Sequence, residues 1–494
     1  MPDLSHKIFQ LIINRLDGDK LGNVSYRDKT CDLVRRGIGG FIIFGGNRDA
    51  IKDFITSLQS MSDIPLFIAS DIERGAGQQF KGATNFPPLM AIAAAINKND
   101  TSDMNLLDSY ITSIAEEAID IGINMPLIPV LDVNQNPDNP IICTRAFSDN
   151  PQTVSWFCSR YIKTLQYAGL ISCAKHFPGH GDTAVDSHVA LPVISKSVQS
   201  LMSTDLIPFK EAIKAGVGSI MMGHISIPSL DSLPASLSKK IVTELLRKDL
   251  GFSGLVITDA LNMSALNEFD NVAAACIDAG IDIILHPADP TKTLDELIHA
   301  VDTGLITEDT IETAFQRIMQ YKSGLKIFGP IHPDYEQHKN IAENLFNTSI
   351  TLVSGNLDYP KDYLSNTDFV FTGDKNRFDI AALKQQVPDA VHIDRYNQVS
   401  HRKIIIAIFT TVAAWQGSSG IRDHDREKIK QIISKAKNSI VISFGSPYVL
   451  RHFKKADALI AAYDSSINAQ KAVFDRLILR KEFKGSLPVK LLFP

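Results

Sequence analysis

The chain has 494 residues, 44% hydrophobic and 21% charged, which excludes disordered and fibrous classes and calls for two or three domains, or one large barrel with an appendage. Lys plus Arg number 50 against 55 for Asp plus Glu, a net charge of −5 with no basic block, and this speaks against a nucleic-acid partner. The five cysteines are odd in number and lack CxxC spacing, so neither a disulfide framework nor a zinc cage is expected, and a reducing compartment fits best.

The N-terminal apolar stretch, Phe9 to Ile13, is too short and too soon followed by Asn14, Arg15 and Asp17 for a signal peptide or a membrane span. A cytoplasmic protein without a membrane partner is expected. Runs of strand length then recur at Gly40 to Phe44, Pro65 to Ala69, Asn124 to Val130, Leu170 to Ala174, Ser219 to Met222, Gly254 to Thr258 and Asp282 to Leu285, with a weaker candidate at Ile8 to Ile13. Helical spacing fills the intervals at Asp49 to Met61, Thr153 to Ala168, Thr204 to Ala215, Ser238 to Leu250 and Asn271 to Ala279. Strand followed by helix, repeated through about 330 residues, predicts a parallel sheet and matches a (β/α)8 TIM-type barrel.

After Phe328-Gly-Pro330 a charged helical stretch, Tyr335 to Leu345, leads into new strand candidates. These are Ser349 to Val353, Asp368 to Thr372, Lys403 to Phe409, Ser439 to Phe444 and Asp457 to Ala462. The expected division is a barrel over 1–330 and a C-terminal α/β sandwich over 331–494. The glycine-rich stretches Arg36 to Gly40 and Gly417 to Gly420 lack the spacing of a phosphate cradle and read as turns.

A barrel of this kind builds its site at the carboxyl ends of its strands, so the polar residues that follow the apolar runs are the candidates. They are Asp71 with Glu73 and Arg74, Lys175 with His176, His224, Asp259 and His286. The densest stretch runs from Lys175 to His188 and holds three imidazoles, Asp182, Asp186 and two glycines behind one strand. His180, Asp182, Asp186 and His188 have the chemistry of metal ligands, but no HExxH register accompanies them. Asp186 and His188 suit proton transfer better, because a carboxylate that holds an imidazole fixes its tautomer and supports its charged form.

Here the sequence resembles the family 3 glycoside hydrolases, in their bacterial β-N-acetylglucosaminidase branch, through the loop KHFPGHGD (Lys175 to Asp182) and the element Asp186-Ser187-His188. The resemblance continues through Asn124 to Asn134, Thr144 to Ser148 and Gly251 to Leu261, and spans roughly residues 35 to 290. The second region resembles the α/β sandwich of two-domain members from Asn347 onward. The resemblance implies that Asp259 is the nucleophile, His188 the general acid/base and Asp186 its orienting partner. It also implies that Asp71, Arg145, Lys175 and His176 hold the sugar, with no metal and no cofactor. The strand-two stretch reads Asp71-Ile-Glu73-Arg74-Gly75-Ala76 where the family usually has an Asp followed by Glu-Gly-Gly and an Arg. Thr258-Asp259-Ala260 stands where the β-glucosidase branch carries Ser-Asp-Trp, which favours the acetamido-sugar branch.

The function so implied is a retaining exo-β-N-acetylglucosaminidase that takes a small GlcNAc-containing glycoside, with cell-wall muropeptides as its source. His180 and Asp182 are then assigned to shaping the loop, and His224 and His286 read as satisfied core histidines. Phosphorolysis of the same linkage is the alternative, since an imidazole acid/base avoids repelling a phosphate dianion. A β-glucosidase or β-xylosidase of the same family is another, and a catalytically silent sugar sensor a third. The sequence assigns no oligomeric state.

Overall fold

The computed structural model describes residues 2–185, 190–326, 331–357, 367–373, 377–397, 402–412 and 419–493. Two compact units emerge. The first comprises Met1–Asn85, Asp108–Val133 and Pro151–His338, and the second Phe86–Leu107, Asn134–Asn150 and Lys339–Pro494.

The first unit alternates strand and helix. Its strands are β1 (Ile12–Asp17), β2 (Gly40–Phe44), β3 (Phe67–Ser70), β4 (Met125–Pro126), β5 (Cys173–Phe177), β6 (Ser219–Met222), β7 (Leu255–Thr258) and β8 (Ile284–Leu285). They form a five-stranded sheet, β4-β3-β2-β1-β8, and a three-stranded sheet, β5-β6-β7, with every pairing parallel. Isolated bridges join the two at both margins, Val130 with Lys175 and Ile257 with Ile283. Strands β3, β6 and β7 are buried along their whole length, which is why they read as largely apolar runs rather than alternating ones, and β5 is equally buried although it carries Lys175 and His176.

Several expected elements move. The strand expected at Ile8 to Ile13 is instead the helix Leu4–Gln10 followed by β1, because the Asp3 carboxylate accepts from the His6 amide at 2.8 Å and caps a helical turn. The run Asn124 to Val130 supplies ladder residues only at Met125 and Pro126, since Pro126 and Pro129 have no N–H to donate. The strand expected to end at Ala174 extends to Phe177, so Lys175 and His176 lie within β5. The segment Ser238 to Leu250 is helical as expected, but its core, Lys240–Asp249, winds as a π-helix. Of the glycines at 37 to 40, Gly37 (φ 86°) ends the helix Val24–Arg35 as a turn residue. Gly40 instead opens β2, where a Cβ would meet the Phe67 carbonyl oxygen at 2.1 Å.

The second unit is built on one sheet of β9 (Thr351–Gly355), β10 (Thr367–Thr372), β11 (Val391–His392), β12 (Lys403–Phe409), β13 (Asn438–Phe444) and β14 (Ala458–Ala461), in the order β11-β10-β12-β13-β14-β9. Five strands are parallel, while β9 pairs antiparallel with β14. Side chains alternate between two cores. Ile404, Ile406 and Ile408 of β12 join the helices Asp423–Lys435 and Leu89–Ala95 on one face, and Ile405, Ala407 and Phe409 join the helix Ile467–Leu479 on the other. Both faces are therefore covered, as a parallel sheet requires.

Candidate active site

Because the strands of the first unit run parallel, their carboxyl ends lie at one edge, and the polar residues that follow them converge there. Lys175 is the centre of one group. Its side chain is only 2% exposed, and its ammonium sits 2.6 Å from Asp71 Oδ1 and 2.8 Å from Glu73 Oε1. A buried amine is stable only when paired, and here two carboxylates from the turn after β3 supply the compensation. Asp71 remains partly exposed while Glu73 is buried, so Asp71 retains an open side and Glu73 does not.

Asp132 is the centre of a second group. It is completely buried and accepts from His176 Nδ1 at 2.7 Å and from the backbone amides of His180 (2.6 Å) and His176 (3.3 Å). Burial pushes the Asp132 carboxyl up, but the imidazoles and these hydrogen bonds outweigh it, and the carboxyl is held below its ordinary value. An ionised carboxylate only accepts, so His176 carries its proton on Nδ1 and keeps Nε2 as an acceptor when neutral. His180 stands edge-on to His176, with ring centroids 5.9 Å apart, and its Nδ1 lies 2.9 Å from Thr183 Oγ1. Desolvation lowers His180 to about 4, so it is neutral at physiological pH. Asp182 pairs with Lys196 at 3.1 Å, and Lys196 also reaches Asp205 at 3.0 Å, which ties the loop down on both sides.

Asp259 follows β7. Its amide donates to the Met222 carbonyl at 3.0 Å, fixing the end of β7 against β6, and its Oδ1 accepts from the next amide, Ala260, at 2.7 Å. The Asp259 side chain stays half-buried, and its charge acts on His180, His286 and Cys173, the last of which also feels Lys175 and Asp71. His286, after β8, has φ 48° and is lowered to about 4, first by desolvation and then by Arg15. His224, after β6, is buried with Nδ1 2.9 Å from Ser236 Oγ.

Of the sequence-predicted residues, the structure thus gathers Asp71, Lys175, His176 and Asp259 at the strand ends of the first unit. Arg145 lies in the second unit, in the short turn Cys143–Arg145, where its Nη1 donates to the Ile141 carbonyl at 3.1 Å. Asp186 and His188 lie outside the described residues. One site residue escaped the sequence reading. Asp132 was visible only as the acid closing the apolar run that begins at Asn124, while Glu73, a strand-end candidate, is the second partner of Lys175.

The profile of the glycosyl hydrolase family 3 N terminal domain matches residues 4–321. The chain belongs to glycosyl hydrolase family 3. Its relatives include the Beta-hexosaminidase A of Pseudoalteromonas piscicida, 36% identical over 332 residues, which covers 59% of this chain and 54% of that protein. The Beta-hexosaminidase of Stenotrophomonas maltophilia (strain K279a) is 32% identical over 278 residues, covering 54% of this chain and 81% of that protein. The chain thus spans little more than half the length of the first relative and most of the second. The solved structure of a family 3 β-N-acetylglucosaminidase from Paenibacillus sp. str. FPU-7 superposes with a TM-score of 0.82 at 26% identity, over the whole of both chains. Among the described residues, no helix is long and apolar enough to cross a membrane. All five cysteines are free thiols.

Proposed function

We propose that this family 3 chain is a retaining exo-β-N-acetylglucosaminidase that removes terminal β-linked GlcNAc, with cell-wall muropeptides as its natural source and the cytoplasm, which suits five unpaired thiols, as its compartment. The observation that carries the reading is the half-buried Asp259 carboxylate at the end of β7, on the same rim as the Lys175–Asp71 pair and the His176–Asp132 pair. The eight parallel strands of the first unit, bridged at both margins, support a closed barrel as its frame.

In this reading Asp259 attacks the anomeric carbon and forms a glycosyl ester while His188 protonates the leaving oxygen. Water, deprotonated by the same imidazole, then cleaves the ester with overall retention. Asp186 holds the imidazole in its productive tautomer. Asp71 accepts from sugar hydroxyls, Lys175 and Arg145 donate charge-assisted hydrogen bonds, and His176 offers Nε2, so that binding energy restrains the ring for the transition state.

The test is the initial rate on 4-nitrophenyl β-GlcNAc and β-glucoside, with and without phosphate, for wild type, Asp259→Ala and His188→Ala. GlcNAc-selective, phosphate-independent release that Asp259→Ala abolishes supports the reading. Unchanged turnover in Asp259→Ala would sink it, phosphate dependence would make the enzyme a phosphorylase, and indifference to His188→Ala would remove the imidazole as acid.

A further inference from the structure

Away from the strand ends, a groove of about 540 Å³ lies in the first unit between the helices Pro151–Ala168 and Leu206–Lys214, which pack against each other. The first helix turns Val154, Phe157, Cys158, Tyr161, Ile162 and Leu165 into the core, the spacing of one buried face. Gln152, Trp156, Ser159, Arg160 and Lys163 recur at helical spacing on another face and form one wall of the groove, with Ile207 and Glu211 on the other wall.

The charges of this groove do not cancel. Glu211 is paired with Lys214 of its own helix at 2.7 Å. Among the described residues, Arg160 approaches a carboxylate only at 3.9 Å, that of Asp108, and its Nε is buried without a hydrogen-bond partner. Lys163 is exposed and makes no ion pair among the described residues. Arg160 also lies over the Trp156 ring, its Cζ 5.3 Å from the centroid, so the planar guanidinium is set beside an aromatic face. Tyr167, one turn beyond Lys163, is 89% exposed. The helix face thus reads Trp156, Arg160, Lys163, Tyr167, aromatic at both ends and cationic between, over a span of about 16 Å.

We propose that this groove is a second binding site, for a carboxylate-bearing oligosaccharide. Sugar rings present flat C–H faces that stack on aromatic rings, and hydroxyls that Gln152 and Ser159 can bond. Their carboxylates match the guanidinium fork of Arg160 and the ammonium of Lys163, one turn apart. A polyphosphate is the poorer match, because only two cations stand here, opposite Glu211, in a chain of net charge −5. The site shares no residue with the strand ends, so it holds a glycan without touching the reacting bond and does not depend on the activity proposed for Asp259.

The experiment is calorimetric titration of the full chain with trigalacturonic acid, which carries carboxylates and no GlcNAc, and with maltotriose as a neutral counterpart. It compares wild type, Trp156→Ala and the double variant Arg160→Gln/Lys163→Gln. Wild type is expected to bind the acid and not maltotriose, and to bind it several-fold more weakly in about 0.5 M salt than in about 0.05 M. The affinity is expected to fall about tenfold in Trp156→Ala and about ten- to a hundredfold in the double variant, with turnover of 4-nitrophenyl β-GlcNAc unchanged in both. Equal binding of maltotriose, an affinity that neither variant lowers, or no binding of the acid up to about 10 mM overturns the proposal. Tighter binding of oligothymidylate that is lost in the same variants also overturns it and gives the face to a nucleic acid. A concentration-dependent dimer that Trp156→Ala abolishes overturns it too, and gives the face to a second copy of the chain.

Discussion

Replacing Asp132 by Asn tests the internal logic of the site with a single charge. The substitution is nearly isosteric at a fully buried position, and the remaining oxygen can still accept from the backbone amides of His180 and His176. The NH2 group then faces His176 Nδ1 across 2.7 Å, and two donors cannot share that distance. The imidazole must move its proton to Nε2, so the edge offered to a sugar turns from acceptor to donor. A hydrogen bond to a charged group contributes about 1.5–3 kcal/mol and a neutral one about 1, while relief of the buried charge offsets part of the difference, which leaves a net destabilisation of about 1–3 kcal/mol. The loss of one well-placed acceptor, left facing a mismatched partner, is expected to lower kcat/KM by a further factor of about ten to one hundred. Kinetics on 4-nitrophenyl β-GlcNAc and the 15N shifts of the His176 ring read the two effects separately. The pH dependence has a definite sign. Asp132 is held below its ordinary value, so its stabilisation is present above about pH 4 and is lost as pH falls through the lowered folded value, whereas Asp132→Asn has no such acid limb. Wild-type kcat/KM with an Nδ1-protonated His176 in the variant would refute the reasoning.

Lys175→Met removes the ammonium that Asp71 and the buried Glu73 share, a loss of about 3–5 kcal/mol at neutral pH. Urea unfolding of this variant is expected to show a lower midpoint than wild type at neutral pH, and an unchanged midpoint would exclude the shared ion pair as a source of stability. His338 lies 2.9 Å from Glu117 and 3.1 Å from Glu116. Burial lowers its pKa, but the two carboxylates outweigh it and the net shift is upward. Its stabilisation is therefore complete below about pH 6.5 and lost as pH rises through the raised folded value. His338→Gln should converge on wild type in melting temperature toward pH 9 and fall below it at pH 5.5, and parallel curves across that range would remove the ion pairs as the cause.

Much of the first unit is legible because strands buried on both faces must be apolar throughout, and β2 and β6 coincide with the runs read from the sequence. The limits of the other strands are set by hydrogen bonding rather than by hydropathy. Leu170 and Ile171 are as apolar as a strand requires, yet the ladder begins at Cys173 and runs on through Lys175 and His176, whose polarity is compensated by Asp71, Glu73 and Asp132 from other strand ends. A charged pair inside a strand can be read only when its partners are known to be near, and a single sequence does not carry that. The antiparallel β9 was hidden for the same reason, since its composition matches that of its parallel neighbours and only the chain direction differs.

The strand-end rule found Asp71, Lys175, His176 and Asp259 because each follows or closes an apolar run. It passed over Asp132, whose run is broken as a ladder by Pro126 and Pro129. Arg145 shows where the rule stops altogether. The residue belongs to the segment 134–150, which packs within the second unit, where Asn134 bonds Tyr448 from more than 300 positions away in the chain. Periodicity reports which face of an element is buried, but nothing in it sorts a loop of the N-terminal half into a unit built by the C-terminal third. A residue of that kind is found from the sequence through its family motif, and its physical support is found only from the hydrogen bonds that hold the loop.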